Sequence, residues 1–152
     1  WPLMQKGERF PFVSPQATGF APAGIGKEEL FTAYLEGVAY IERYAFEKIK
    51  SLSGETISRV FSAGGGSNND TWLTIRSTVL GIPVCKMKNV SGAAGAAIIA
   101  ASKTYFDAVT EAASQMLKSE KTIHPEQSMM DQYERNYIAF IDLLRKKKYL
   151  DV

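Results

Sequence analysis

Residues Val60 to Val84 read VFSAGGGSNNDTWLTIRSTVLGIPV, and this stretch decides how the rest of the chain is read. The apolar run Ile57, Val60 and Phe61 predicts a buried strand, because β-branched and aromatic residues fit a pleated core surface. Gly64, Gly65 and Gly66 then allow positive φ and leave no side chain between the backbone and a neighbour. Ser67, Asn68, Asn69 and Asp70 follow, and each can accept a hydrogen bond from the free N–H groups that open a helix. A strand, a glycine turn and a helix N-terminus together suit phosphate or nucleotide binding, through exposed amides and a positive helix end. The stretch is not a Gly-Lys-Ser/Thr phosphate loop, since no lysine follows the glycines. Nor is it the Gly-x-Gly-x-x-Gly dinucleotide fingerprint. On these residues alone, a tight structural turn with an N-cap and a ligand loop both stand open.

The surrounding composition narrows the class. At 152 residues the chain fits one domain with a real core. Hydrophobic residues make up 45% and charged residues 22%, as in ordinary soluble globular proteins. The net charge of +2 is too small to imply a nucleic-acid partner. A single cysteine, Cys85, excludes an internal disulfide framework and fits a reducing cytosol. It lies in the apolar run Val84–Met87 and reads as a small buried residue rather than a nucleophile. No apolar stretch approaches the ~20 residues that cross a bilayer, so no membrane partner is expected. The chain opens on Trp1 without a methionine and reads as a piece of something longer.

Outward from the glycine turn, periodicity predicts a helix-rich inventory. Residues 1–26 are rich in Pro, Gly and aromatics and read as a loop-rich lead-in to a body over 27–152. Leu30, Tyr34, Val38, Ile41, Ala45 and Ile49 recur at three- and four-residue steps, predicting one helix from Glu28 to Lys50. Ser53-Gly54 ends it, and a strand over Ile57–Ala63 follows. Asn69 to Leu80 is the next helix, closed by Gly81 and barred from continuing by Pro83. Val84–Met87 is a second strand, so strand, helix and strand form a parallel βαβ unit. A Gly/Ala-rich helix over Gly92–Tyr105 is expected to pack closely through its small residues. Another runs from Phe106 to Lys118, continuous with it or set off by a kink. Thr122–Ser128 reads as loop, and Met130, Tyr133, Tyr137, Phe140 and Leu144 mark a last helix to about Lys147.

In this order the pieces resemble the C-terminal half of the FGGY family of carbohydrate kinases. Gly7-Glu8-Arg9-Phe10-Pro11 with Pro15-Gln16-Ala17 is similar to the family's G-E-R-x-P … P-x-A-R-G segment. Tyr34–Tyr40 resembles its R-A-V-L-E-G-V-A-F helix, and Ala63–Asp70 its D-G-G-A-S-x-N-D turn. Val79–Val84 is similar to D-I-L-G-V-P-V, Gly92–Ala97 to the A-L-G-A-A-L-L-A helix, and Tyr133–Leu144 to the closing Y-x-x-Y-x-x-L segment. Each motif is weak singly; their shared order and spacing make the likeness specific.

The resemblance implies an α/β class: a helix-rich, partial C-terminal domain of the actin-like, ribonuclease-H-like ATPase fold. It implies transfer of the ATP γ-phosphate, with Mg2+, to a hydroxyl of a sugar or polyol in the cytoplasm. The family's aspartate base, most sugar contacts and the phosphate loops lie outside these residues, as do the magnesium ligands. A chain of this extent is therefore expected to be inactive alone, and to meet sugar only through the missing N-terminal domain. What carries over is the adenosine side of the ATP/ADP site. Gly64 and Gly65 let the backbone lie against the nucleotide, and Asn69 reaches the adenine or its ribose-phosphate. Gly66 and Ser67 are neighbours, Ser67 reading chiefly as a cap.

The chain departs from the family pattern at Ala63, where an aspartate is usual, at Ser91-Gly92, and at Thr18, which replaces an arginine. A second reading is a non-catalytic actin-like binding or regulatory module with a degenerate nucleotide loop. Uncovered apolar surface would favour a homo-oligomer. Among the remaining residues, His124 reads as a surface loop residue and Arg145–Lys148 as cations favoured by a helix C-terminus. Tyr133 and Tyr137 read as core, and Asp70 as an N-cap or supporting residue. Glu8-Arg9 is an internal ion pair or a cleft contact, which the sequence leaves undecided.

Overall fold

The computed structural model describes residues 1–88 and 90–150. Its elements are α1 (Lys27–Ser53), β1 (Val60–Ser62), a 3-10 turn at Gly65–Asn68, α2 (Asp70–Leu80) and β2 (Val84–Lys88). They continue with α3 (Gly92–Ala101), α4 (Val109–Met116), β3 (Lys118–Ile123) and α5 (Gln127–Lys146). Local chemistry sets the helix ends. Glu29 accepts the Gly26 N–H at 3.0 Å where α1 begins, and Gly54 closes that helix in the left-handed region at φ 74°. Gly81, at φ 67°, closes α2 in the same way.

The sheet runs β1-β2-β3. β1 and β2 are parallel, with Val60 opposite Val84 and Ser62 opposite Lys86, so β1-α2-β2 is the expected βαβ unit. β3 lies antiparallel to β2, from Val84 opposite Ile123 to Lys88 opposite Lys118. The sheet is therefore mixed.

The core lies where α1, α2 and α5 meet the lead-in. Tyr40, Val79, Tyr137, Phe140 and Leu144 are buried there together with Trp1 and Ala17. Tyr40 and Phe140 meet with ring centroids 5.4 Å apart, and Phe20 meets Phe140 at 5.7 Å. Tyr133 and Tyr137 are thus core residues, as their spacing predicts. Ser77, fully buried, donates toward the carbonyls of Ile82 (2.9 Å) and Ile123 (3.1 Å), tying α2 to the sheet.

Several expectations need correction. Lys118–Ile123 is a strand where helix end and loop were expected. KSEKTI has no apolar run, and only its pairing with β2 makes it extended. The expected strand over Ile57–Ala63 contracts to Val60–Ser62, and Phe61 is 61% exposed rather than buried. β1 stands at the end of the strand order with a single partner, so only three residues are drawn into the ladder. The Gly/Ala-rich helix stops at Ala101, and α4 is a separate helix beginning at Val109. Small residues do not bring α3 into the core: Ile98 alone is buried, while Ile99 is 61% exposed. α3 packs chiefly on α4, a short partner.

Candidate functional site

The glycine turn is held by its own hydrogen bonds. Gly64 has φ 84°, a conformation that a side chain would strain. The next two bonds, Ser67 N–H to the Gly64 carbonyl (3.1 Å) and Asn69 N–H to the Gly66 carbonyl (3.3 Å), wind the 3-10 turn. The buried Ser67 hydroxyl donates to the Gly64 carbonyl at 2.6 Å. Asn69 is the N-cap of α2, its Oδ1 accepting the Trp72 N–H at 3.0 Å. Ser67 therefore does not cap the helix, because its hydroxyl is turned back into the turn. Asp70 is not the cap either, since it already lies in the first helical turn.

The five residues singled out in the sequence lie on one continuous turn. Gly64, Gly65, Gly66 and Asn69 are exposed, and Ser67 is the buried post beneath them. A Cβ placed on Gly64 or Gly65 would meet no protein atom within 4 Å, whereas one on Gly66 would rest 3.5 Å from the Trp72 indole nitrogen. Gly65 thus has neither a positive φ nor a packing neighbour to demand glycine. Just beyond, the first N–H groups of α2 lack intrahelical partners, as at every helix start. The turn can accept a flat or anionic group against bare backbone, at the positive end of a helix.

Charges flank this turn. Asp70 pairs with Lys121 of β3 at 2.5 Å. That hydrogen bond, with the nearby lysine charges, holds the Asp70 carboxyl below its ordinary range. Lys86 pairs with Glu120 at 2.9 Å. Arg76, on the second turn of α2, binds Glu42 of α1 through two nitrogens and the Ser62 hydroxyl through the third. Sequence reading passed over Lys121, because it lies in the missed strand. It also passed over Arg76, although its position four residues after Trp72 places both on one side of α2.

Other candidates fall away from this turn. Cys85 is buried, with its sulfur 3.6 Å from the Thr122 hydroxyl. His124 is exposed. Glu8 accepts the N–H groups of Arg9 (2.8 Å) and Phe10 (3.4 Å), which shapes the lead-in turn. Arg145 and Lys146 stand in the last turn of α5, where the helix dipole favours them. Among the described residues no three His, Cys, Asp or Glu side chains are grouped as a metal site requires.

This fold, a βαβ unit with a glycine turn at its switch into α2 backed by long helices, is shared with solved sugar kinases of the actin-like ATPase fold. The solved xylulose kinase from Rhodospirillum rubrum superposes on 85% of this chain with a TM-score of 0.71 and 25% identity, over 26% of that chain. The Plasmodium falciparum glycerol kinase structure with ADP shares the fold at a TM-score of 0.68 and 16% identity, covering 88% of this chain and 27% of that one. Residues 2–104 match the model of the C-terminal domain of the FGGY family of carbohydrate kinases. The chain belongs to that family. It is 26% identical to the xylulose kinase of Bacillus subtilis over 150 residues, which are 95% of this chain and 30% of that protein. The chain thus spans under a third of the length of these relatives.

Proposed function

We propose that this chain is the adenosine-binding part of an ATP-dependent carbohydrate kinase, within its C-terminal domain. Family membership supports the reading, and the observation that carries it is Gly65. That residue is glycine at an exposed point where the fold itself has room for a side chain. Gly64, Gly65 and Gly66 give the nucleotide a bare backbone surface, Ser67 holds the turn's shape, and Asn69 offers its side-chain amide nitrogen from the helix start. Asn69 Oδ1 is committed to the cap, so its contact with adenine or ribose-phosphate is as a hydrogen-bond donor.

ATP supplies the phosphoryl group, and Mg2+ its charge neutralisation, in the whole enzyme. The residues here bind and orient the nucleoside end. The base, the phosphate loops and the sugar or polyol site are assigned to the longer protein, and this span is inactive alone. ADP calorimetry on the chain tests the site. Loss of binding in Gly65→Val and weakening in Asn69→Ala are expected, whereas binding indifferent to both would put the nucleotide elsewhere. A phosphorylation screen of sugars and polyols with the full-length protein tests the activity. No transfer to any acceptor would favour the non-catalytic binding module.

A further inference from the structure

Arg76 joins three elements at the base of the glycine turn. Its Nε and Nη2 donate to the two Glu42 carboxylate oxygens of α1 at 2.8 and 2.6 Å, and its Nη1 donates to the Ser62 hydroxyl at 2.8 Å. Ser62 is the last residue of β1 and is buried; Gly64 is two residues further on. The same guanidinium lies 5.6 Å from the centre of the Trp72 ring. That indole is what a side chain on Gly66 would touch, at 3.5 Å. One side chain therefore holds the strand that enters the turn and backs the indole beneath its middle. Glu42 anchors it to the longest helix of the chain. The side chains of Arg76 and Glu42 are only 11% and 22% exposed, so the pair is screened little by solvent. Arg76, Glu42 and Ser62 all lie outside the motif segments that carry the family resemblance.

We propose that Arg76 is a positioning residue for the nucleotide turn, acting through Ser62 and Trp72 rather than by touching the ligand; this rests on the nucleotide reading given above. The guanidinium suits the role because its rigid fork serves a carboxylate and a hydroxyl at once. A lysine retains the charge opposite Glu42 but cannot hold both partners in that geometry. The turn is thereby fixed before nucleotide arrives, which removes an ordering cost from binding.

Hydrogen exchange on the whole chain, with and without ADP, tests this in Arg76→Gln, Arg76→Lys and Ser62→Ala. The Ser67 and Asn69 amides are expected to exchange several-fold faster in all three, relative to amides in the middle of α5. ADP affinity is expected to fall by about tenfold in both Arg76 variants, the scale of a small loss of pre-organisation. Ser62→Ala leaves the Arg76–Glu42 pair in place, so it reads the link to the turn even if the Arg76 variants fold poorly. Unchanged exchange at the turn, or full rescue by lysine, overturns the positioning role whatever happens to ADP. Faster exchange at the turn with unchanged ADP affinity overturns the nucleotide assignment instead, and with it the purpose given to Arg76.

Discussion

Helices α2 and α3 start alike and end up in opposite surroundings. Each follows a strand of the same sheet, and each opens on a side-chain cap: Asn69 accepting from Trp72, Ser91 accepting from Ala94 at 3.2 Å. α2 contains Asp70, Arg76 and four hydroxyl residues, yet buries Leu73, Ile75, Ser77, Thr78 and Val79. α3 has no polar side chain in its ten residues, GAAGAAIIAA, and buries only Ile98. Burial here follows position in the topology rather than apolar content. α2 is the crossover of the βαβ unit, packed between α1, α5 and the sheet. α3 leaves the sheet after β2 and meets mainly α4. Polar residues survive inside α2 because each has a partner: Ser77 with carbonyls across the sheet, Thr78 accepting from the Glu126 N–H at 3.0 Å, Arg76 with Glu42 and Ser62.

The comparison breaks most visibly through core truncation. Leu73→Ala, at a fully buried site, is expected to destabilise the chain by about 2–5 kcal/mol. Ile99→Ala on the exposed side of α3 should change stability by less than about 0.5 kcal/mol. Urea unfolding followed by circular dichroism measures both. Equal losses would mean that α3 is as integral to the fold as α2.

A subtler contrast concerns the caps. Asn69→Ala and Ser91→Ala should each cost about 1 kcal/mol, as N-cap deletions do. Only Asn69→Ala is expected to weaken ADP binding as well. A comparable loss of affinity in Ser91→Ala would extend the nucleotide surface to the start of α3.

The smallest effect is in acid. Lys121 keeps the Asp70 carboxyl below its ordinary range in the folded chain. Its stabilisation is therefore present above the unfolded-state value of about 3.9 and disappears as pH falls through the lower folded value. Asp70 is solvent-exposed, so the contribution is modest. Thermal melts should show Asp70→Asn less stable than the parent near neutrality, the difference closing as pH drops toward 3. A gap that stays constant with pH would mean that the ion pair is not what Asp70 provides.

Some of the fold and site was open to reading in residue order, and some was not. Gly54, Gly81 and Pro83 stop helices by backbone effects that act within a few residues, so the extents of α1 and α2 were readable to within three residues at either end. The positive φ of Gly64 and a cap within Ser67–Asp70 are equally local, though which residue caps was decided by where Ser67 Oγ turns. β3 was unreadable because KSEKTI has neither an apolar run nor a buried residue, and its extended form comes from the partner strand. The exposure of Phe61 and α3 was unreadable for the converse reason: an apolar residue is buried only if the topology sets something against it.

The sequence by itself determined the glycine turn and the helix that follows it, since both rest on short-range spacing, and the family to which they belong, through the order of motifs along the chain. Tertiary structure alone decided that Gly65, within the turn, has no internal need to be glycine, which strand completes the sheet and which arginine binds beside the turn. Those depend on atoms brought together from positions 42, 62, 76 and 121, and short-range pattern contains no signal for such meetings.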